Sequence, residues 1–298
     1  MTEKSLDLKS ANLLLPKRVQ ESHKGTYGNV LLICGSKNMV GCCVLAAQGA
    51  LRSGAGLVTV AFPDVLYTSL TSRLTECLFM PLPTDDRGYI SHLAIGELLP
   101  VIERADVVAV GCGLGVGYAQ SLITTTLLEC ENKPVIFDAD ALNCIAQAPE
   151  MLQKATAKVL LTPHPGEMSR LTGESVDFIE NNRKKVISDF CDKYNVNVLL
   201  KGHKTLICNE SGDRLYVNTT GNSALAKGGA GDLLTGIIAG LTPAMKGDLF
   251  QSAVIGAFVH GLSADIAVKG QSEYSVLPSD CALKLGEAYY TIEKSGNS

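Results

Sequence analysis

"NVLLICGSKNMVGCCVLAAQGALRSGAGLVTVAFP", residues 29–63, decides the fold. It opens on a continuous apolar run, 29–34, that stops at Gly35-Ser36. A short run without polar alternation reads as a strand buried on both faces. Residues 44–54 follow with small residues, among them Ala47 and Ala50, along one side. They predict a helix that packs closely through that face. Residues 57–62 are a second apolar strand, closed by Pro63. Strand, helix and strand in this order make a parallel pair joined by a crossover.

The same alternation continues outward. Short apolar strands are predicted over 106–111, 134–140 and 158–163, each followed by a polar or glycine turn and a helical stretch. Residues 196–202 add one more parallel strand, and 205–208 and 214–218 read as antiparallel edge strands. After Asp232 the chain is mostly helical. The expected fold is α/β, with a mainly parallel central sheet and helices on both faces. No linker, low-complexity tract or internal repeat interrupts it, so residues 1–298 read as one domain with an N-terminal arm over 1–20. Ligands of such sheets bind at the carboxyl ends of the strands.

Composition narrows the function classes. Hydrophobic residues make up 46% of 298, enough for a large core. Trp is absent and the net charge is −4, so neither stacking platforms nor a basic footprint for nucleic acid is expected. The ten cysteines form no CxxC pair, and Cys42 and Cys43 are adjacent. They read as free thiols of a reducing cytosol. Residues 1–20 lack the apolar core of a secretory signal, and no run is read as long enough to span a membrane. A cytoplasmic location with no membrane partner is the expectation. There is no GxxxxGK[ST], GxSxG or HExxH. "GCGLGVG" (111–117) fails the GxGxxG spacing because residue 116 is Val. It is either a tight strand-to-helix connection or a backbone that a flat or phosphorylated ligand approaches.

"GNSALAKGGAGDLLTGIIAGL" (221–241) carries the chemistry. Gly228, Gly229 and Gly231 let successive N–H groups converge into an anion nest. The helix expected from about Asp232 adds its positive dipole end. Such a nest suits a phosphoryl group in transfer. A carboxylate at its rim, Asp232, can take the proton of an attacking hydroxyl. The alternative is a first-turn acid that complements the helix end, for a few tenths to about 1 kcal/mol.

The chain resembles the ADP/ATP-dependent NAD(P)H-hydrate dehydratase family, a ribokinase-like three-layer sandwich. The stretches that carry the likeness are 22–36, 49–58, "VGCGLG" (110–115), "DADAL" (138–142), "LTPHPGEMSRLTG" (161–173), "LLKGHKTLI" (199–207) and 221–241, in family order. The family often carries an N-terminal epimerase domain, and a stand-alone dehydratase domain is expected here. The resemblance implies removal of water from hydrated NADH or NADPH (the S-epimer). ADP, or ATP, would phosphorylate the ring hydroxyl, releasing AMP and then phosphate. ADP is the expected donor, because the chain resembles the bacterial stand-alone form. Asp232 would be the catalytic base.

Residue by residue, the resemblance puts Cys42, Gly113, His164 and Asp232 at the hydrated dinucleotide. It puts Lys201, Gly202, His203, Lys204, Thr205 and Gly231 at the nucleotide. Glu167 sits where related kinases keep an acid near magnesium, and Asp138 and Asp140, at a strand end, could hold that ion through water. His164 also reads as a loop histidine fixed between two prolines, Glu167 as a first-turn acid, Asp140 as a helix cap, and "KGHKT" (201–205) as a hairpin turn. Cys42 stands where the family has Ala, and Cys112 where proline is common. A homotetramer is implied by the resemblance. Two other functions fit parts of the pattern. One is a kinase of the same fold acting on a vitamin-precursor alcohol, which often has Asn at the position of His164. The other is a non-catalytic nucleotide sensor, against which the presence of Asp232 speaks.

Overall fold

Ten strands form one sheet in the computed structural model, which describes residues 2–296. In chain order they are β1 (Thr2–Lys4), β2 (Asn29–Ile33), β3 (Leu57–Pro63), β4 (Leu78–Leu82) and β5 (Val107–Val110). Then come β6 (Pro134–Phe137), β7 (Lys158–Leu161), β8 (Asn197–Leu200), β9 (Leu206–Cys208) and β10 (Arg214–Val217). Their spatial order is β1-β10-β9-β8-β7-β6-β5-β2-β3-β4. From β4 to β8 every pairing is parallel. β9 and β10 run antiparallel to their sequence neighbours, as expected for 205–208 and 214–218.

The apolar strands are buried on both faces because each supplies two cores. Val30 and Leu32 of β2 point to one core, and Leu31 and Ile33 to the other. Val107 and Ala109 of β5 are separated from Val108 and Val110 in the same way. The first core is closed by helices that include Gly41–Arg52, Ala230–Leu241, Leu249–Ala267 and Pro278–Ser295. Those over the second include Ile95–Arg104, Pro165–Thr172 and Arg183–Tyr194. The result is the three-layer sandwich expected from the sequence.

Small residues decide how one helix pair sits. A Cβ at Gly236 would lie 2.0 Å from the Ala46 carbonyl oxygen, and one at Gly240 would lie 2.4 Å from that of Ala50. The Gly41–Arg52 and Ala230–Leu241 helices therefore touch backbone to backbone. This contact fixes where the amino end of Ala230–Leu241 lies.

Two expectations change. The N-terminal arm is part of the fold: β1 extends the sheet, and the Leu8–Leu14 helix is capped by Asp7 and tied to the last helix by Asn12, 2.9 Å from the Ile292 carbonyl. The helix Leu249–Ala267, 19 residues, is long and apolar enough to cross a membrane, contrary to the sequence reading. It is a core helix here, with 83% of its apolar window buried.

The chain runs from β2 outward to β4, returns to place β5 beside β2, and then builds β6 to β8 on the other side. That reversal opens a crevice beyond the carboxyl ends of β2 and β5.

Candidate active site

The residues that follow β5, β6, β7 and β8 meet the amino end of the Ala230–Leu241 helix. Asp138, just after β6, is 1% exposed and is held by protein donors on both oxygens. Its Oδ1 accepts from Lys201 Nζ at 2.7 Å and Thr162 Oγ1 at 2.8 Å. Its Oδ2 accepts from Thr235 Oγ1 at 2.9 Å and Cys112 Sγ at 3.6 Å. Burial disfavours the Asp138 charge, but the Lys201 ammonium and these hydrogen bonds hold its carboxyl below the ordinary value. Lys201 gains in turn: against burial, Asp138 and Glu167 raise its pKa. The next residue, Ala139, has φ 48°, a left-handed conformation that costs a non-glycine residue about 1–2 kcal/mol. Backbone strain of this kind collects at functional sites.

Asp232 is different. It lies in the first turn of a helix whose N-cap is Gly229 at φ 96°, with no side-chain cap. Among the described residues the Gly231 and Asp232 N–H groups find no protein acceptor, so the nest expected at Gly228, Gly229 and Gly231 opens outward. Among the described residues Asp232 has no ion pair. One ligand atom each of Cys112, Asp138 and Asp232 lie within 4.8 Å of one another. Burial first, then the Asp138 charge, raises the Asp232 pKa, against the Cys112 hydrogen bond and Lys201. Burial and the same carboxylates push the Cys112 thiol far up, so it remains a protonated donor. Carboxyls whose pKa values are driven apart at one site are the arrangement that divides roles in acid–base chemistry.

His164 is the N-cap of the Pro165–Thr172 helix. Its Nδ1 accepts from Gly166 N at 3.0 Å and Glu167 N at 3.3 Å, which leaves the proton on Nε2. Nε2 faces Glu167 Oε1 at 3.4 Å, and Glu167 Oε2 accepts the His164 N–H at 2.8 Å. His164 thus caps a helix, where the sequence read a loop histidine fixed between two prolines, and half of its side chain stays exposed. Burial lowers its pKa, with Lys201 and Arg170 acting in the same direction against Glu167 and Asp138, so the ring is neutral at pH 7.

The loop 201–205 joins β8 to β9. Lys201, expected at a phosphate, points inward instead, to Asp138 and, at 3.7 Å, to Glu167. The reason is electrostatic: two buried carboxylates need a cation more than an exposed ligand does. Gly202 (φ 146°) and Lys204 (φ 55°) give the loop two left-handed turns. His203 and Lys204 are exposed, and Thr205 Oγ1 donates to the Gly202 carbonyl at 3.1 Å. Gly231 adjoins this end of the crevice, since a Cβ there would be 3.4 Å from Lys201 Nζ.

On the other side, the Cys42 thiol is 4% exposed and donates to the Met39 and Cys112 carbonyls at 3.0 and 3.2 Å. It faces the protein, so only its backbone is offered to a ligand. Gly113 (φ 60°) lies on this thiol, because a Cβ would be 2.7 Å from Cys42 Sγ. Asp140 is a loop anchor: its Oδ2 accepts from Gly115 N at 2.8 Å. Asn143 and Arg170 brace it in series, at 3.2 and 2.9 Å.

The magnesium expectation divides. Magnesium takes one or two carboxylates and keeps several waters. Glu167 fits, because among the described residues its Oε1 meets only His164 Nε2, at 3.4 Å. Asp138 does not, since both its oxygens are filled by protein donors. Sequence reasoning missed Cys112 as a partner of Asp138 and Asp232, and it missed Thr162, Thr235 and Arg183. Only Thr235, one helical turn beyond Asp232, left a spacing signal.

The three-layer sandwich with its mostly parallel sheet is of the ribokinase-like class. Within that class, residues 30–285 match the family model described as NAD(P)H-hydrate dehydratase, and the chain belongs to that family. It is 38% identical over 267 residues to the bifunctional NAD(P)H-hydrate repair enzyme of Moorella thermoacetica, covering 89% of this chain and 50% of that protein. The chain thus spans about half the length of the bifunctional relatives it matches. It is 36% identical to the ADP-dependent (S)-NAD(P)H-hydrate dehydratase of Neisseria meningitidis, over 84% of this chain and 80% of that one. The ADP/ATP-dependent NAD(P)H-hydrate dehydratase of Bacillus subtilis, co-crystallised with ATP and Mg2+, superimposes with a TM-score of 0.81 at 29% identity. That match covers 96% of this chain and 98% of that one.

Proposed function

We propose that this protein dehydrates the S-epimer of hydrated NADH or NADPH with ADP as phosphoryl donor. The observation that carries the reading is the split between Asp138 and Asp232: one carboxylate is neutralised by Lys201, and the other is left open beside uncapped N–H groups. A base must be free to accept a proton; Asp138 is committed to protein donors on both oxygens, and Asp232 is not.

Asp232 takes the proton of the ring hydroxyl as its oxygen attacks the terminal phosphorus of ADP. The new O–P bond forms as the bond to AMP breaks. The Gly228–Gly231 backbone and the helix dipole stabilise the charge on the transferring group. Hydroxide is a poor leaving group and phosphate a good one. The ring nitrogen then expels phosphate, the adjacent carbon loses a proton, and the dihydronicotinamide returns. His164, neutral and half open, suits the dinucleotide through its cap-held ring. Cys42 and Gly113 offer backbone on the same side, and Gly202 to Thr205 with Gly231 take the nucleotide. Glu167 would hold magnesium, which supplies charge neutralisation on the phosphates. A cytoplasmic homotetramer belongs to the same proposal and rests on the resemblance.

The nest and Asp232 would serve a vitamin-precursor kinase as well. The likeness to dehydratases over most of the chain favours dehydration, and position 164 is His rather than the Asn frequent in such kinases. The test is incubation of hydrated NADH with ADP and magnesium. We expect dihydronicotinamide absorbance to return with one phosphate released per ring. A product that keeps its phosphate overturns the reading in favour of a kinase.

A further inference from the structure

Arg183 is placed against local preference. It is the first residue of the Arg183–Tyr194 helix, where the positive dipole end disfavours a cation. Its guanidinium side chain is only 17% exposed, and among the described residues its buried Nε has no hydrogen-bond partner. Glu180, 4.0 Å away, is its nearest counter-charge. A residue that breaks several local rules at once marks a functional constraint.

What Arg183 obtains is two carbonyls of the nucleotide side. Nη1 donates to the His203 oxygen at 2.7 Å and Nη2 to the Leu200 oxygen at 3.3 Å. The planar fork thus grips the end of β8 and the middle of the 201–205 loop together. A trans peptide points its C=O and N–H in opposite directions. With the His203 carbonyl turned to Arg183, the Lys204 N–H faces away from it. Among the described residues the Gly202, His203 and Lys204 N–H groups donate to no protein acceptor. Left-handed φ values at Gly202 and Lys204 interrupt the run, as in backbone nests that bind anions. Gly202 also makes room for the fork, since a Cβ there would lie 3.1 Å from Nη2. Lys201 is committed to Asp138, which leaves the backbone and the exposed Lys204 to meet the ligand's charge.

We propose that Arg183 is the positioning residue of the nucleotide loop: by holding the Leu200 and His203 carbonyls it presents the loop N–H groups to the phosphate of a nucleoside diphosphate. The proposal rests on the nucleotide reading of this crevice. It assigns recognition to an oriented backbone that a side chain outside the motif sets from behind.

The test is calorimetric titration of ADP into the wild-type protein, Arg183→Ala and Arg183→Lys, with steady-state constants for both substrates. Losing the fork should weaken ADP about tenfold, the size of one charged hydrogen bond. The KM for hydrated dinucleotide should stay unchanged. Added guanidinium should restore ADP affinity to Arg183→Ala, which a merely structural defect would not allow. Lysine keeps the charge but only one point of grip, so Arg183→Lys should fall between the two. It carries the test by itself if Arg183→Ala does not fold. ADP affinity within twofold of wild type in the folded variants overturns the role of Arg183 and leaves the nucleotide site standing. A wild-type protein that does not bind ADP removes both.

Discussion

Asp138 and Asp232 share one crevice and live in opposite surroundings. Asp138 follows a strand, is almost fully buried, and has four donors including an ammonium. Asp232 opens a helix, has no cation of its own, and faces the first carboxylate across less than 5 Å. One charge is built into the fold; the other is held against it. The same residue type therefore does structural work in one place and is available for chemistry in the other. The determining difference is where Lys201 points.

The comparison breaks most visibly in turnover. Asp232→Asn keeps the size and removes the base, so the rate should fall about 100- to 10,000-fold. ADP should still bind within a few-fold by titration, because the loop and nest remain. For Asp138→Asn the expected loss is in stability. Removing one partner of a buried ion pair leaves Lys201 only the more distant Glu167, at 3.7 Å, for about 3 kcal/mol in denaturant unfolding. If Asp138→Asn unfolds like the wild type while Asp232→Asn is the one destabilised, the two roles have been assigned the wrong way round.

Acid should separate the two carboxyls. Asp232 has a raised pKa, so kcat/KM should fall as pH drops through a value above that of an ordinary carboxylate. Asp138 has a depressed pKa. Its contribution to stability is present above the unfolded value and is lost only as pH falls through the lower, folded one. Activity should therefore be lost at higher pH than the circular dichroism of the fold; coincident losses would contradict the split. A third carboxylate gives the smallest change in activity. Asp140→Asn weakens the bond to the Gly115 N–H, worth about 1 kcal/mol. The KM for hydrated dinucleotide should rise about fivefold. An equal rise for ADP would show that Asp140 serves the whole crevice.

Much of the sheet was legible because its strands are apolar on both faces, as at 29–34 and 57–62. β4 carries partly exposed residues and a proline, and β1 is Thr-Glu-Lys, so neither offers an apolar run. Asp232 could be found from its glycines, because the nest is local in sequence. Lys201 could be singled out in its loop but not aimed. Its partner Asp138 is 63 residues away, and Thr235 is 97 from that same carboxylate. Burial and long-range pairing set the direction of a side chain, and spacing along the chain does not record them. Arg183 escaped for the same reason, since its acceptors are backbone carbonyls that carry no residue identity.

The most direct measurement is the unfolding free energy of Asp232→Asn beside the wild type at neutral pH. A raised pKa means that the ionised form is disfavoured in the folded state, so removing the charge should relieve the fold. We expect the variant to be as stable as the wild type or more stable, even as its turnover collapses. A loss of about 1 kcal/mol or more, as expected of an acid that merely complements a helix end, with turnover retained, would contradict the assignment of Asp232 as the base.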